Sequence, residues 1–241
     1  MTTYDDYEQS GNDITYWWEN VANTRWGNYT SDIEKRCILK GNDLCREPTA
    51  ALDIGCACGK WSKLLADLGW NVTCTDINEK RLKICQKRIP TAKCILVSPN
   101  ETKLPCVSES IDLLLCIEVG AVIQADWFIN EAFRVLKNDG IIVGVFLNLL
   151  SFRGLFAHMK ASFTGSYNHY KIAYPSWRRN LLNRGFFMLY EEGYCWFPFS
   201  RISNSVFVPY FARLEKILGL HKLASISPWT VFIARKTLKN T

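Results

Sequence analysis

The chain has 241 residues, of which 48% are hydrophobic and 22% charged, with a net charge of +6. That much apolar material buries one large core and excludes general disorder. No apolar run reaches the roughly 20 residues of a membrane-spanning helix, and the acidic, polar start MTTYDDYEQS is unlike a secretory leader, so a cytoplasmic location is expected.

In chain order, Trp17, Trp18 and Trp26 mark an N-terminal aromatic segment. Residues 50–54 form a short apolar run holding Asp53. After Gly59, Trp61, Leu64, Leu65 and Leu68 fall at helical spacing, and Gly69 closes that helix. NVTCTDI reads as a strand containing Asp76, and Asn78 is placed to cap a helix through Ile89. Cys94–Val97 is a third strand. Ile111–Ile117 is a continuous apolar run, as expected of a strand covered on both faces. Asp126 is expected to cap a helix bearing Phe128, Ala132, Val135 and Leu136, which Asn138–Gly140 stops before a fifth strand at Ile141–Phe146. Residues 148–175 read as irregular. A short helix from Pro175 to Arg184 and the strands FFMLYEE and TVFIARK follow.

Strand and helix alternate four times in about 100 residues. This predicts an α/β fold: a doubly wound, Rossmann-like, mostly parallel seven-stranded sheet with helices on both faces. Ligands of such sheets bind at the carboxyl ends of the strands. Gly55 and Gly59 lie between the first strand and its helix, where a missing Cβ lets a ligand approach backbone, and the helix start offers free N–H groups. Asp76 ends the second strand at a spacing suited to ribose hydroxyls. The turn lacks the G-x-G-x-x-G of a nicotinamide site, and Asp53 beside it favours a cationic ligand group.

LDIGCACGKW, Asp76, LPCVSESIDLLLCIEV and FRVLKNDGIIV, in that order, resemble the class I S-adenosylmethionine-dependent methyltransferases, most nearly the small-molecule group of ubiquinone/menaquinone C-methylases. The resemblance covers residues 45–150. It implies S-adenosylmethionine as cofactor, with Gly55, Cys56, Ala57 and Gly59 along its methionine part and Asp53 near its amino group. Asp76 would hold the ribose and Ile77 would pack on adenine. Asn100 would meet the adenine amino group, Glu101 would offer its N–H to the ring, and Ile117 and Glu118 would close the far side. It also implies an N-terminal helical lid over the cofactor, residues 1–44 with Trp26, ahead of a methyltransferase domain over 45–241. Two departures stand out. The middle glycine is Ala57, and the Glu-His pair of many relatives falls on Ala121 and Val122.

Residues 151–241 carry 13 Lys and Arg against 3 Asp and Glu, and 19 of the 32 aromatic residues. The basic, aromatic back is expected to bind the methyl acceptor, with 148–175 as a substrate lid inserted after the fifth strand. Phe152, Phe156, Phe163, Tyr167, Tyr170 and Tyr174 would give an apolar wall, and Arg153, Lys160, Lys171, Arg178 and Arg179 positive charge. A small apolar acceptor with room for an anionic group fits: a quinone precursor, a lipid-like compound or a phenol. Peripheral membrane contact is open, and oligomeric state is not read from the sequence. A nucleic-acid methyltransferase is the first alternative, but the aromatics are not spaced with Lys and Arg along an open platform. A non-catalytic cofactor-binding regulator is the second. His169, flanked by Tyr170, is the expected base for a protonated acceptor. Ten cysteines occur without a C-x-x-C, and His158, His169 and His221 are not spaced as a ligand pair. The cysteines read as buried free thiols, and no metal is expected.

Overall fold

The computed structural model describes residues 17–46, 48–165 and 168–237. Two helices lead in, α1 (Trp17–Ala22) and α2 (Arg25–Asp43). Thr24 starts α2 by accepting the Gly27 N–H at 3.0 Å, which satisfies a donor the helix cannot pair itself. Trp26, Gly27, Thr30, Ile33, Glu34, Cys37, Ile38 and Gly41 are its buried residues, one stripe at helical spacing that lies on the sheet.

The alternation follows as β1 (Ala50–Ile54), α3 (Lys60–Asp67), β2 (Asn71–Asp76), α4 (Glu79–Arg88), β3 (Lys93–Leu96), β4 (Ile111–Cys116), α5 (Gly120–Ile123), α6 (Phe128–Val135) and β5 (Leu136–Leu147). Then come α7 (Phe152–Thr164), α8 (Tyr174–Arg184), β6 (Phe186–Tyr194), α9 (Val208–Ile217) and β7 (Trp229–Lys236). The seven strands form one sheet in the order β3-β2-β1-β4-β5-β7-β6. Pairings from β3 through β5 are parallel, and β7 runs antiparallel to both β5 and β6. The strand order reverses between β1 and β4, which opens a crevice at their carboxyl ends. One face of the sheet is covered by α2, α3 and α4, and the other by α5, α6 and α8.

Three details depart from the sequence reading. Asp126 does not cap α6; Trp127 holds that position with no side-chain bond. The turn signal Asn138–Gly140 does not precede β5 but lies inside it. There the register with β4 jumps from Leu136↔Ile111 to Ile141↔Leu113, and Asp139 takes a φ of 64°, so the extra residues bulge without ending the strand. Residues 148–175 are not all irregular. Ser151 caps α7 through the Gly154 N–H at 3.0 Å, and Gly165 ends it in the left-handed region.

Asn148 and Gln124 anchor that insertion. Asn148 Oδ1 accepts the N–H groups of Leu150 and Tyr174 at 3.1 and 2.9 Å. Gln124 Oε1 accepts from Lys171 and Ile172 at 2.9 and 3.0 Å, and its Nε2 donates to the His169 carbonyl at 2.7 Å. The segment after Asn168 is thereby pinned beside α5, next to the crevice.

Candidate active site

The β1–α3 turn is held in three left-handed residues, Gly55, Ala57 and Gly59, at φ 66°, 48° and 82°. A Cβ on Gly55 would meet Val119 Cγ2 at 2.6 Å. The turn and the segment after β4 therefore face each other too closely for any side chain there. Asp76 organises the turn from β2: one carboxylate oxygen accepts the Ala57 N–H at 2.9 Å and the other the Asn78 N–H at 2.8 Å. Each oxygen keeps a second lone pair for a ligand. Burial raises the Asp76 carboxyl above its ordinary range.

Asp53 differs from expectation. It is buried and accepts the Ser62 hydroxyl at 2.5 Å, so it braces α3 and does not point toward a ligand amine. Burial first, then the Cys74 sulfur, pushes its carboxyl up to about 8. Trp26 differs too. It is a core residue packed edge-on against Trp229 at 5.4 Å, where its large apolar surface is removed from water. Ile77, Asn100 and Glu101 are exposed beyond β2 and β3. The Glu101 N–H already donates to the Ser98 carbonyl at 3.0 Å, so the donor expected for the ring is engaged in a turn. Cys56 turns its thiol into the core, and Ile117 is buried under the crevice.

The crevice carries charges that sequence reasoning missed. Glu34, only 3% exposed, reaches it from α2 and accepts the Tyr194 hydroxyl at 3.4 Å. Burial first, then the charge of Glu118, holds the Glu34 carboxyl well above its usual range, and the two side chains are hydrogen-bonded. Glu118 sits at a φ of 57° just past β4 and lies 3.2 Å from Arg201 Nη1. Lys60, the first residue of α3, donates to Ser31 Oγ at 2.6 Å; burial lowers its ammonium, against the pull of Glu34 and Glu118. Two acids and two bases thus meet beside the glycine turn. The one signal in the sequence was an acid, Glu34, set on the apolar stripe of α2.

Of the expected acceptor residues, the structure brings some here and not others. Tyr170 accepts from Trp229 Nε1 at 3.0 Å in the wall of the crevice. His169 is exposed, with its carbonyl near Gly120. Tyr167 lies outside the described residues. Tyr174 is fully buried and donates to Glu191 at 2.7 Å, and Arg178 pairs with Glu191 at 2.9 Å. Those two hold α8 to β6. Phe152, Phe156 and Phe163 are exposed along α7, Phe163 by 90%.

Comparison with known proteins decides what this arrangement belongs to. Residues 52–144, from β1 through β5, match the family model described as a methyltransferase domain. Those residues carry the pattern of a methyltransferase domain. Over 166 residues the chain is 28% identical to an uncharacterized methyltransferase-like protein of Schizosaccharomyces pombe, an alignment covering 66% of this chain and 60% of the relative. The chain thus spans about 60% of that relative's length. Among solved structures, it is similar in fold to a methyltransferase of Mesorhizobium loti (TM-score 0.57, 15% identity, 82% of this chain and 96% of that one). It is also similar to the putative methyltransferase of Haloferax volcanii solved with the Trm112 methyltransferase activator (TM-score 0.65, 10% identity, 99% of both chains). A putative sarcosine dimethylglycine methyltransferase of Galdieria sulphuraria gives a TM-score of 0.56 at 16% identity, over 88% of this chain and 86% of its own. The Mesorhizobium loti protein is named as S-adenosylmethionine-dependent, and the glycine turn here, which a Cβ on Gly55 would fill, leaves room for such a cofactor.

Proposed function

We propose that this chain transfers a methyl group from S-adenosylmethionine to a small, apolar acceptor. The observation that carries the reading is the mixed-charge crevice of Glu34, Glu118, Lys60 and Arg201 against the bare Gly55 turn. The cofactor supplies an electrophilic methyl group on a sulfonium sulfur. The protein has to bind it, orient an acceptor and keep water out. Asp76 takes the ribose hydroxyls with its free lone pairs, and Ile77, Asn100 and Glu101 flank the adenine. Glu34 and Glu118 receive the amino group of the methionine end, a role the sequence assigned to Asp53. Lys60 and Arg201 receive its carboxylate. A zwitterion recovers in this way part of what these two acids and two bases lose by leaving water.

The acceptor enters between α7 and the segment after Asn168. Exposed Phe156 and Phe163 on α7 support an apolar molecule, and Lys160 and Lys171 leave room for an anionic group. The same apolar helix suits a lipid-like acceptor met at a membrane surface. No helix among the described residues is long and apolar enough to cross a membrane. Tyr170 shapes the acceptor's wall, and His169 takes a proton from an acceptor that arrives protonated. Helix α2 contributes the cofactor's cover through Ser31 and Glu34; residues 1–16 of the expected lid lie outside the described residues. Nucleic acid is the weaker acceptor, because Arg178 and Arg153 are tied to Glu191 and to backbone carbonyls.

Glu118→Gln tests the reading. It keeps shape but removes the charge facing an ammonium. Calorimetry is expected to show S-adenosylmethionine binding weakened by about tenfold or more, since hydrogen bonds to charged groups contribute ~1.5–3 kcal/mol. Unchanged affinity would remove Glu118 from the amine site.

A further inference from the structure

Four cysteines far apart in sequence converge beneath the glycine turn. Cys56 comes from the turn, Cys74 from β2 and Cys85 from α4, and all three are buried. Their sulfur atoms lie within 4.8 Å of one another. Cys94 stands on β3 in direct register with Cys74, and its sulfur interacts with those of Cys74 and Cys85. It is only partly buried, so it gives the set a side open to solvent.

We propose that Cys56, Cys74, Cys85 and Cys94 form a tetrahedral thiolate site for one zinc(II) ion. A zinc–sulfur bond of about 2.3 Å in a tetrahedron places sulfurs about 3.8 Å apart. The three buried sulfurs, within 4.8 Å of one another, are within a small shift of that spacing. All four donors are soft sulfur, the set that selects zinc(II) over the oxygen-seeking cations. Binding would send the thiol protons to solvent and put one cation in their place.

The turn is built onto this set. A Cβ on Gly59 would strike Cys85 Sγ at 2.6 Å, so Gly59 is required for the turn to seat on α4. An ion here would join the turn to β2, β3 and α4 in one unit, immediately behind the cofactor's methionine end. The sequence conceals the site because its ligands come from four elements and no two of them are spaced as C-x-x-C. The inference does not depend on methyl transfer.

The test uses the full chain produced with zinc in the medium, then metal analysis and cobalt(II) substitution. Wild type should retain one zinc per chain and, with cobalt, give strong thiolate-to-metal charge-transfer absorption. Cys74→Ser should retain none. Cys94→Ser, at the open side where folding is least at risk, should bind cobalt about tenfold or more weakly. Cys116→Ser, buried on β4 outside the set, should retain the full equivalent. Chelation should lower the melting temperature of wild type and leave Cys74→Ser unmoved. Wild type that holds no zinc and gives no cobalt band would overturn the proposal, as would full retention by Cys74→Ser. Unweakened binding by Cys94→Ser would remove the fourth ligand.

Discussion

Asp53 illustrates how burial redirects a single carboxyl. Its acid is raised to about 8 in the folded chain against about 3.9 when unfolded. A group raised in this way contributes stability below pH ~4 and loses it as pH climbs toward 8. The slope reaches up to about 1.4 kcal/mol per pH unit between those limits. Asp53→Asn keeps an oxygen for the Ser62 hydroxyl and removes the titration. Urea midpoints at pH 5 and pH 8 should therefore lie closer together in the variant than in wild type, and equal spacing would contradict the assignment. Nothing local in LDIGCACGKW says that Ser62, nine positions on, will sit over this oxygen, which is why the sequence sent Asp53 to the ligand. His169 carries the proton prediction. Gln in its place cannot act as a base, so turnover of a protonated acceptor should fall about 10²-fold with cofactor affinity unchanged. A change within about threefold would exclude His169 as the base.

Among the elements, the glycine turn sets the site. Gly55 combines a φ of 66° with a 2.6 Å approach to Val119, so its requirement has two parts, conformation and space. Gly55→Ala should weaken cofactor binding and lower the melting temperature. Adding Val119→Ala should restore part of both, because it relieves the contact while the backbone strain of ~1 kcal/mol remains. No restoration would place the whole cost in the backbone. The turn was legible because glycine spacing, a preceding apolar strand and a following one-faced helix are all local patterns. The start of β5 was not. Asn138–Gly140 has turn chemistry, but pairing with β4 across the bulge and with β7 beyond it carries the strand through. Helix α7 was hidden for another reason: its exposed aromatics break the amphipathic pattern that marks a buried helix, and only its Ser151 cap and Gly165 stop betray it.

At the scale of the whole molecule, strand–helix alternation fixed the doubly wound sheet and placed the crevice at the reversal between β1 and β4. It did not place what faces the crevice from outside that alternation. Glu34 comes from α2, Tyr194 from the end of β6 and Arg201 from the stretch that follows it. These contacts span more than 80 residues, and no periodicity encodes them. The segments flanking the methyltransferase core thus complete the site that the core begins. The central claim is that this site receives S-adenosylmethionine. Isothermal calorimetry with S-adenosylmethionine, its demethylated product and NAD tests it most directly. The account predicts one site for the first two with a dissociation constant in the micromolar range, about −8 kcal/mol, and no heat with NAD. Binding of NAD, or no binding of either sulfur nucleoside by the folded chain, would contradict it.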